Sequence, residues 1–243
     1  MHMKYITSFQ ELDALGEGLS KDYTKKAHKQ NALPFDIEGF ITGYLGMTIV
    51  YESFAEQDQD KIGFIANGVE PLLVHRDGRI ASVIFPKDTV VIEKYLLRST
   101  ENPRRRFTLA HEAAHKILEK HFSVGEQEAC FHTDHDAEAD YTPERIEREL
   151  SITEAYANRL GAAILMPLFL VRTVLRKYNN GKPLVCYDGS VFAPKDRQKV
   201  QKMANSLGVS YTAFVTRLRE FKLLECHPIE EYISGTLQFG DSL

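Results

Sequence analysis

The residues best suited to chemistry lie in one short segment, His111-Glu112-Ala113-Ala114-His115. On a helix, residues i and i+4 lie one turn apart on the same face, so His111 and His115 can direct two imidazoles at one metal ion. Glu112 is rotated about 100° from His111, so its carboxylate can act as general base for a water beside the ion without binding the metal. The segment indicates a metal-dependent hydrolase; the alternative is a core helix that happens to carry two histidines.

A helix must position these side chains, and the surrounding sequence predicts one. Asn102 suits the N-cap and Pro103 the first helical position. Apolar residues then recur at helical spacing and predict a buried stripe with the histidines at its edge. These residues are Phe107, Ala110, Ala114, Ile117 and Leu118. The small Ala113 and Ala114 allow another element to approach closely.

A catalytic zinc site needs a third protein ligand. Glu154 lies in the next predicted helix, four residues before Asn158 and therefore on the same face. Ser151-Ile152-Thr153-Glu154 also fits a capping box, so Glu154 has a purely structural alternative. The pattern alone leaves other ligands open: Glu147, Glu149, His132 and His135.

Upstream of the histidine segment, the sequence predicts helices and then a small sheet. A capping-box pattern at Ser8 predicts a first helix over 8–28, and Asp36 starts a short helix that Gly46 ends. β-Branched and aromatic residues predict strands, with a polar loop over 55–62. The predicted strands are 47–54, 72–75, 80–85 and 89–92, with an Asp77-Gly78 hairpin turn. Together they predict a mostly antiparallel sheet, followed by a helical turn over 93–98.

Downstream, residues 122–142 are polar and acidic and predict a long loop. Thr142-Pro143 predicts the start of a helix over 143–165. The remaining predictions are a helix over 168–178, an irregular stretch over 179–195 with a minor hairpin at Asp188-Gly189, and helices over 196–206 and 211–224, the last capped by Ser210. The last two helices resemble a helix–turn–helix, a weak signal.

The whole chain has the composition of a globular protein. It has 243 residues, of which 43% are hydrophobic and 26% charged. The N-terminus has no secretory pattern and no apolar run approaches the roughly 18 residues needed to span a membrane, so we expect a cytoplasmic protein. The three cysteines, Cys130, Cys186 and Cys226, are far apart in sequence and are interpreted as reduced thiols.

Charge is unevenly distributed along the chain. The net charge of −4 argues against general nucleic-acid binding. Residues 123–154 carry ten acidic and two basic side chains, whereas residues 172–222 carry eleven basic and three acidic ones. Each segment is explained by a solvated face, but the basic segment also suits docking of a partner.

Three motifs in order resemble the ImmA/IrrE family of metallopeptidases. They are Arg106-Phe107-Thr108-Leu109-Ala110-His111-Glu112-Ala113-Ala114-His115, then Glu154-Ala155-Tyr156-Ala157-Asn158, then Ile164-Leu165-Met166-Pro167. The segment from Val209 to Leu218 is similar to the C-terminal helices of that family. The resemblance covers roughly 34–225, with Ala114 where the family often has Gly and with a longer acidic loop.

The resemblance implies a gluzincin-like site in which His111, His115 and Glu154 bind one zinc ion per chain and Glu112 is the base. It also implies an intracellular endopeptidase that cleaves a helix–turn–helix transcriptional repressor. The expected fold is α+β: a zincin-like metallopeptidase core over 34–167, with a small sheet and the histidine helix, an N-terminal helical extension over 1–33 and a C-terminal helical segment over 168–243. The alternative function is a non-cleaving regulatory or toxin–antitoxin module with a structural zinc site.

Overall fold

The computed structural model describes residues 8–29, 32–55, 61–121, 131–133, 152–189 and 191–238. The helices are α1 (Phe9–Lys26), α2 (Ile37–Gly39, continued by a π-helical turn, Phe40–Tyr44), α3 (Asn102–His121), α4 (Ile152–Leu165), α5 (Leu168–Asn179), α6 (Pro194–Leu207), α7 (Tyr211–Glu220) and α8 (Ile229–Gln238). The strands are β1 (Thr48–Glu52), β2 (Lys61–Ala66), β3 (Pro71–Arg76), β4 (Arg79–Ile84), β5 (Thr89–Glu93), β6 (Phe131–Thr133), β7 (Leu184–Tyr187) and β8 (Leu224–His227). Short 3₁₀ turns cover Lys94–Leu97 and Ser99–Glu101.

The main sheet has the strand order β1-β5-β2-β6. β1 runs parallel to β5, whereas β2 is antiparallel to both β5 and β6, so the small, mostly antiparallel sheet is confirmed. Its predicted membership is wrong, because, of the four predicted strands, only β1 and β5 belong to it. β3 and β4 form the predicted hairpin as a separate two-stranded sheet. Asp77 and Gly78 at its turn have φ of 51° and 73°, the positive values that a two-residue hairpin turn needs.

Two strands of the main sheet differ from the prediction. β2 begins at Lys61, inside the stretch predicted as a polar loop, and extends to Ala66. β6 lies within the predicted loop 122–142 and pairs with β2, with a register shift between Lys61 and Gly63. A three-residue strand carries little local signal, because its pairing depends on a partner about 70 residues away.

The start of α3 also differs in detail from the prediction. Asn102 is not an N-cap, because its φ of −55° and ψ of −44° are helical. The 3₁₀ turn Ser99–Glu101 leads directly into α3, so the helical backbone already begins at Ser99. The last residue before it with an extended backbone is Arg98, with ψ of 141°. The side chain of Asn102 instead accepts a hydrogen bond from Arg105 at 3.1 Å.

α3 lies at the centre of the molecule, since it packs against β2 and β5 of the sheet and against α4. α4 approaches α3 closely at Gly161, where an added Cβ would lie 3.1 Å from the backbone nitrogen of His111 and 3.2 Å from the carbonyl carbon of Ala110. The absence of a side chain at Gly161 therefore sets the distance between the helix that carries the histidines and the helix that carries Glu154. The start of the predicted helix at Thr142-Pro143 lies outside the described residues.

The N-terminal helix is integrated into the same core. Ser8 caps α1 as predicted, accepting from the backbone nitrogen of Glu11 at 3.3 Å, and Leu12 is fully buried. Asp13 accepts from Arg159 of α4 at 2.9 Å and from the buried Arg217 of α7 at 2.7 Å. These charged groups connect α1, α4 and α7. The division of the chain into three domains stays a prediction.

The C-terminal part contains the predicted helices and an additional strand pair. Ser210 caps α7, accepting from the backbone nitrogen of Ala213 at 3.1 Å, and Gly208 ends α6 in the left-handed conformation. The predicted hairpin at Asp188-Gly189 is reduced to a single bridge between Tyr187 and Val191. β7 instead pairs in parallel with β8, which, like α8, was not predicted.

Within the described residues, no single helix has the length and apolar character needed to cross a membrane. Two consecutive helical segments are long and apolar enough only when they are taken together: Thr153–Leu165 and Leu168–Asn179. They are bent by 49° relative to each other.

Candidate metal centre

The two histidines of α3 lie side by side at a buried position, as their i, i+4 spacing predicts. Nε2 of His111 is 3.0 Å from Nε2 of His115. The two side chains are 7% and 10% exposed. Helical geometry alone accounts for this pair, because both residues lie within one continuous helix.

Glu154 of α4 completes a three-residue cluster. Its Oε2 lies 3.2 Å from Nε2 of His111, and its Oε1 lies 3.3 Å from Nε2 of His115. One ligand atom from each of the three side chains lies within 4.8 Å of the other two, so the group can hold a metal ion. The structure therefore brings together the three residues that the family resemblance implies.

The other candidate ligands are not part of the described cluster. Glu147, Glu149 and His135 lie outside the described residues. His132 lies in β6, of which the backbone alone is described.

Asn158 orients the first histidine through a hydrogen bond between the two helices. It lies one turn after Glu154 on α4, and its Oδ1 is 2.8 Å from Nδ1 of His111. An amide oxygen accepts hydrogen bonds and does not donate them, so Nδ1 of His111 is the donor. In a neutral imidazole the lone pair is then on Nε2, the atom that faces His115 and Glu154.

This donor set fits a zinc ion. Two imidazole nitrogens and one carboxylate form a known catalytic zinc set that leaves one position open. At separations of 3.0–3.3 Å the three ligand atoms are close enough for one positive charge, a proton or a metal ion, to bridge them. Asn158 adds the hydrogen bond to the second imidazole nitrogen that metal-binding histidines usually have.

Glu112 lies beside the cluster and is fully buried. Burial raises the pKa of its carboxyl group well above the ordinary value, and the negative charge of Glu154 raises it further. A carboxyl group with a raised pKa can exchange a proton near neutral pH more readily than an exposed glutamate. The burial and raised pKa of Glu112 are compatible with the role of general base that the sequence analysis gives it.

Gly63 of β2 is a site residue that the sequence analysis missed. An added Cβ would clash with Oε1 of Glu112 and would lie 2.9 Å from Cγ2 of Thr108. The glycine thus allows the sheet to approach the carboxylate of Glu112. A signal was present, because a glycine within the β-prone run Lys61–Ala66 is typical of a close approach in a strand.

The sequence of the chain matches a known peptidase family over most of its length. The model of the IrrE N-terminal-like domain, peptidase family M78, matches residues 42–219, well over half of the chain. The chain belongs to this peptidase family. Membership in the M78 family confirms the resemblance to ImmA/IrrE metallopeptidases and the α+β class. No curated protein matches the sequence.

The matched range contains the structural elements that form the candidate metal centre. It includes the main sheet, α3, α4 and the C-terminal helices through most of α7, but it begins after α1. The M78 match therefore contains all four residues of the candidate centre: His111, Glu112, His115 and Glu154.

Proposed function

We propose that this M78 family member is a zinc-dependent endopeptidase. His111, His115 and Glu154 bind one zinc ion per chain, and Glu112 is the general base. The observation that carries the proposal is the convergence of three ligand atoms from two helices within 4.8 Å, with a fully buried carboxylate beside them. A bound zinc ion supplies Lewis-acid polarisation of the scissile carbonyl and lowers the pKa of a water toward about 7.

The side chains around the ion transfer the proton and fix the geometry of the site. Glu112 accepts the proton of the attacking water and returns it to the leaving amine. Burial keeps this carboxylate away from bulk solvent, so the proton is transferred within the site. Asn158 holds His111 in one tautomer and one orientation, and Gly63 leaves the space that the carboxylate of Glu112 occupies.

The substrate that we propose is a helix–turn–helix transcriptional repressor inside the cell. The support is the family membership, together with the basic segment 172–222, which offers a docking surface. Arg172, Arg176 and Lys177 of α5 and Lys202 of α6 are exposed, so these cations are available to an acidic partner. The cytoplasmic location expected from the sequence belongs to the same proposal.

The alternative is a regulatory module that binds its partner through a structural zinc site and does not cut. A structural zinc ion usually has four protein ligands, whereas the cluster formed by the described residues has three. Burying the carboxylate of Glu112 costs free energy, and a structural site gives it no compensating role. Both points favour catalysis.

Direct DNA binding through the last two matched helices has less support. In the helix–turn–helix arrangement, α7 would be the recognition helix. Arg217 of α7 is 1% exposed, and it donates to the carbonyl of Met166 at 3.1 Å and to Glu220 at 2.9 Å. The exposed cation of α7 is Arg219, which adjoins the acidic Glu220. α7, the helix that would enter the groove, therefore has too little exposed positive charge of its own for tight phosphate contact.

The experiment that tests the function is cleavage of a candidate partner by the purified protein. We expect the zinc-loaded protein to cut a helix–turn–helix repressor encoded beside it, because peptide hydrolysis at this site requires the ion. A chelator should abolish cleavage and added zinc should restore it, with products identified by mass spectrometry. Stable binding of the repressor without any cut would instead support the regulatory module.

Gly63→Ala is expected to lower peptidase activity by about 10–100-fold, because displacing a catalytic group by about 1 Å can have an effect of that size. β2 is paired on both sides, with β5 and β6, so the carboxylate of Glu112 has to move rather than the strand. Zinc content should stay near that of the unaltered protein. Gly18→Ala is the matched control, since nothing lies within 4 Å of an added Cβ there. Unchanged cleavage by Gly63→Ala would show that this contact does not position Glu112.

A further inference from the structure

Two cysteines that are 40 positions apart in sequence meet on the parallel strands β7 and β8. The strand register places Cys186 directly opposite Cys226. Their Sγ atoms are 2.8 Å apart, and both residues are free thiols. Their meeting is not predictable from cysteine spacing, because a parallel pairing across two intervening helices leaves no local signal in the sequence.

The backbone at this position suits a disulfide. Neighbouring strands lie about 4.7–4.9 Å apart, within the Cα separation of roughly 4.4–6.8 Å that disulfides span. Residues opposite each other in a parallel ladder project their side chains to the same face of the sheet. Bond formation therefore needs side-chain rotation and little movement of the strands.

The two thiols differ in access to solvent. Cys226 is exposed, whereas Cys186 is fully buried. Burial, with a contribution from Cys226, raises the pKa of the Cys186 thiol to about 12. The difference in access sets the order of reaction: an oxidant reaches Cys226 first. Cys186 is largely protonated, but its sulfur is held 2.8 Å from that of Cys226, so it attacks the oxidised sulfur in a slower second step.

We propose that Cys186 and Cys226 are a reversible redox pair in which hydroperoxide drives formation of an intramolecular disulfide. Hydrogen peroxide oxidises the Cys226 thiol to a sulfenic acid and releases one water. Cys186 then attacks that sulfur, the sulfenic hydroxyl leaves with the thiol proton as a second water, and the S–S bond forms. A dithiol reductant restores both thiols by exchange.

The disulfide would stabilise the C-terminal part of the fold. It would close a loop that contains α6 and α7 and would fix β8 to β7. α7 is in turn connected to the end of α4 by the hydrogen bond from Arg217 to the carbonyl of Met166. Oxidation would thus hold in place the elements that support the helix carrying Glu154, whether or not the protein is a peptidase.

The test is peroxide treatment of the full chain, followed by alkylation of free thiols and peptide mapping. We expect one peptide pair linked through Cys186 and Cys226, released by dithiothreitol. The disulfide should also raise Tm by about 5–15 °C relative to the reduced protein, an effect typical of a loop of this length in a chain of this size.

Cys226→Ser is the variant least expected to disturb folding, because the residue is exposed. It should show no linked peptide and no rise in Tm with peroxide. Cys130→Ser is the matched control and should respond as the unaltered chain does. Circular dichroism of the reduced variants checks that each one folds. Alkylation of both thiols after peroxide treatment, oxidation of Cys226 to sulfinic acid without a crosslink, or linkage of Cys226 to Cys130 or to another molecule would overturn the proposal.

Discussion

Glu112→Gln is expected to lower the rate of partner proteolysis by roughly 10²–10⁴-fold, the usual contribution of a positioned general base. Glutamine keeps the size of the side chain and one acceptor oxygen but cannot accept the proton of the attacking water. Because the side chain is fully buried, bulk water cannot accept the proton in its place. The effect is measured as the rate at which cleavage products of the repressor form.

The same substitution should leave folding and metal content near those of the unaltered protein. Glu112 is not one of the three clustered ligands, and a neutral amide also removes the repulsion between Glu112 and Glu154 that raises the pKa of Glu112. Partner binding should survive, so the variant should trap its substrate. Glu119→Gln is the matched control on the same helix, because Glu119 is exposed. Cleavage by Glu112→Gln at the normal rate would contradict the assigned mechanism.

Glu154→Ala is expected to remove the bound zinc and with it all measurable peptidase activity. Loss of a direct ligand should weaken zinc binding by more than the 10–100-fold that is typical for loss of an outer hydrogen-bond partner. His111 and His115 remain in place, but two imidazoles without a carboxylate do not complete a catalytic site. Elemental analysis after dialysis against a weak chelator measures the change.

The acidic residues before α4 provide the controls for this second prediction. Glu147→Ala and Glu149→Ala remove the competing candidate carboxylates, and both variants should keep zinc and activity. If Glu154→Ala kept its zinc and one of the other two variants lost it, the third ligand would be a residue of the segment before α4 and not Glu154.

The histidine pair was predictable from sequence because its geometry is local. Two histidines four residues apart meet wherever the segment is helical, and the apolar stripe predicts that helix. The Asp77-Gly78 turn and the Ser8 and Ser210 caps were predictable for the same reason. Even so, local rules made Asn102 the N-cap of α3 and not its first helical residue, because nothing in the sequence showed that a 3₁₀ turn would lead directly into the helix.

The third ligand depends on how two helices pack, which the residue pattern does not encode. Glu154 reaches the histidines because Gly161 allows the backbones of α3 and α4 to approach closely. The pattern alone left Glu147, Glu149, His132 and His135 open, and the family resemblance was needed to favour Glu154. The role of Asn158 toward His111 depends on the same helix crossing.

Pairings between distant strands were the least predictable part of the fold. β6 is three residues long and pairs with β2, and β8 pairs with β7 across α6 and α7. Because the predicted loop 55–62 included the start of β2 and no strand was predicted over 63–66, the contact of Gly63 with the site was missed. The meeting of Cys186 and Cys226 was missed because it follows from the register of β7 and β8 and not from cysteine spacing.

Anomalous diffraction at the zinc absorption edge, on crystals of the purified protein, would test directly whether His111, His115 and Glu154 bind zinc. We expect one zinc peak per chain, about 2.0–2.2 Å from Nε2 of His111, Nε2 of His115 and a carboxylate oxygen of Glu154. A zinc peak held by other residues would contradict it, as would a zinc-soaked crystal with no peak between these three side chains.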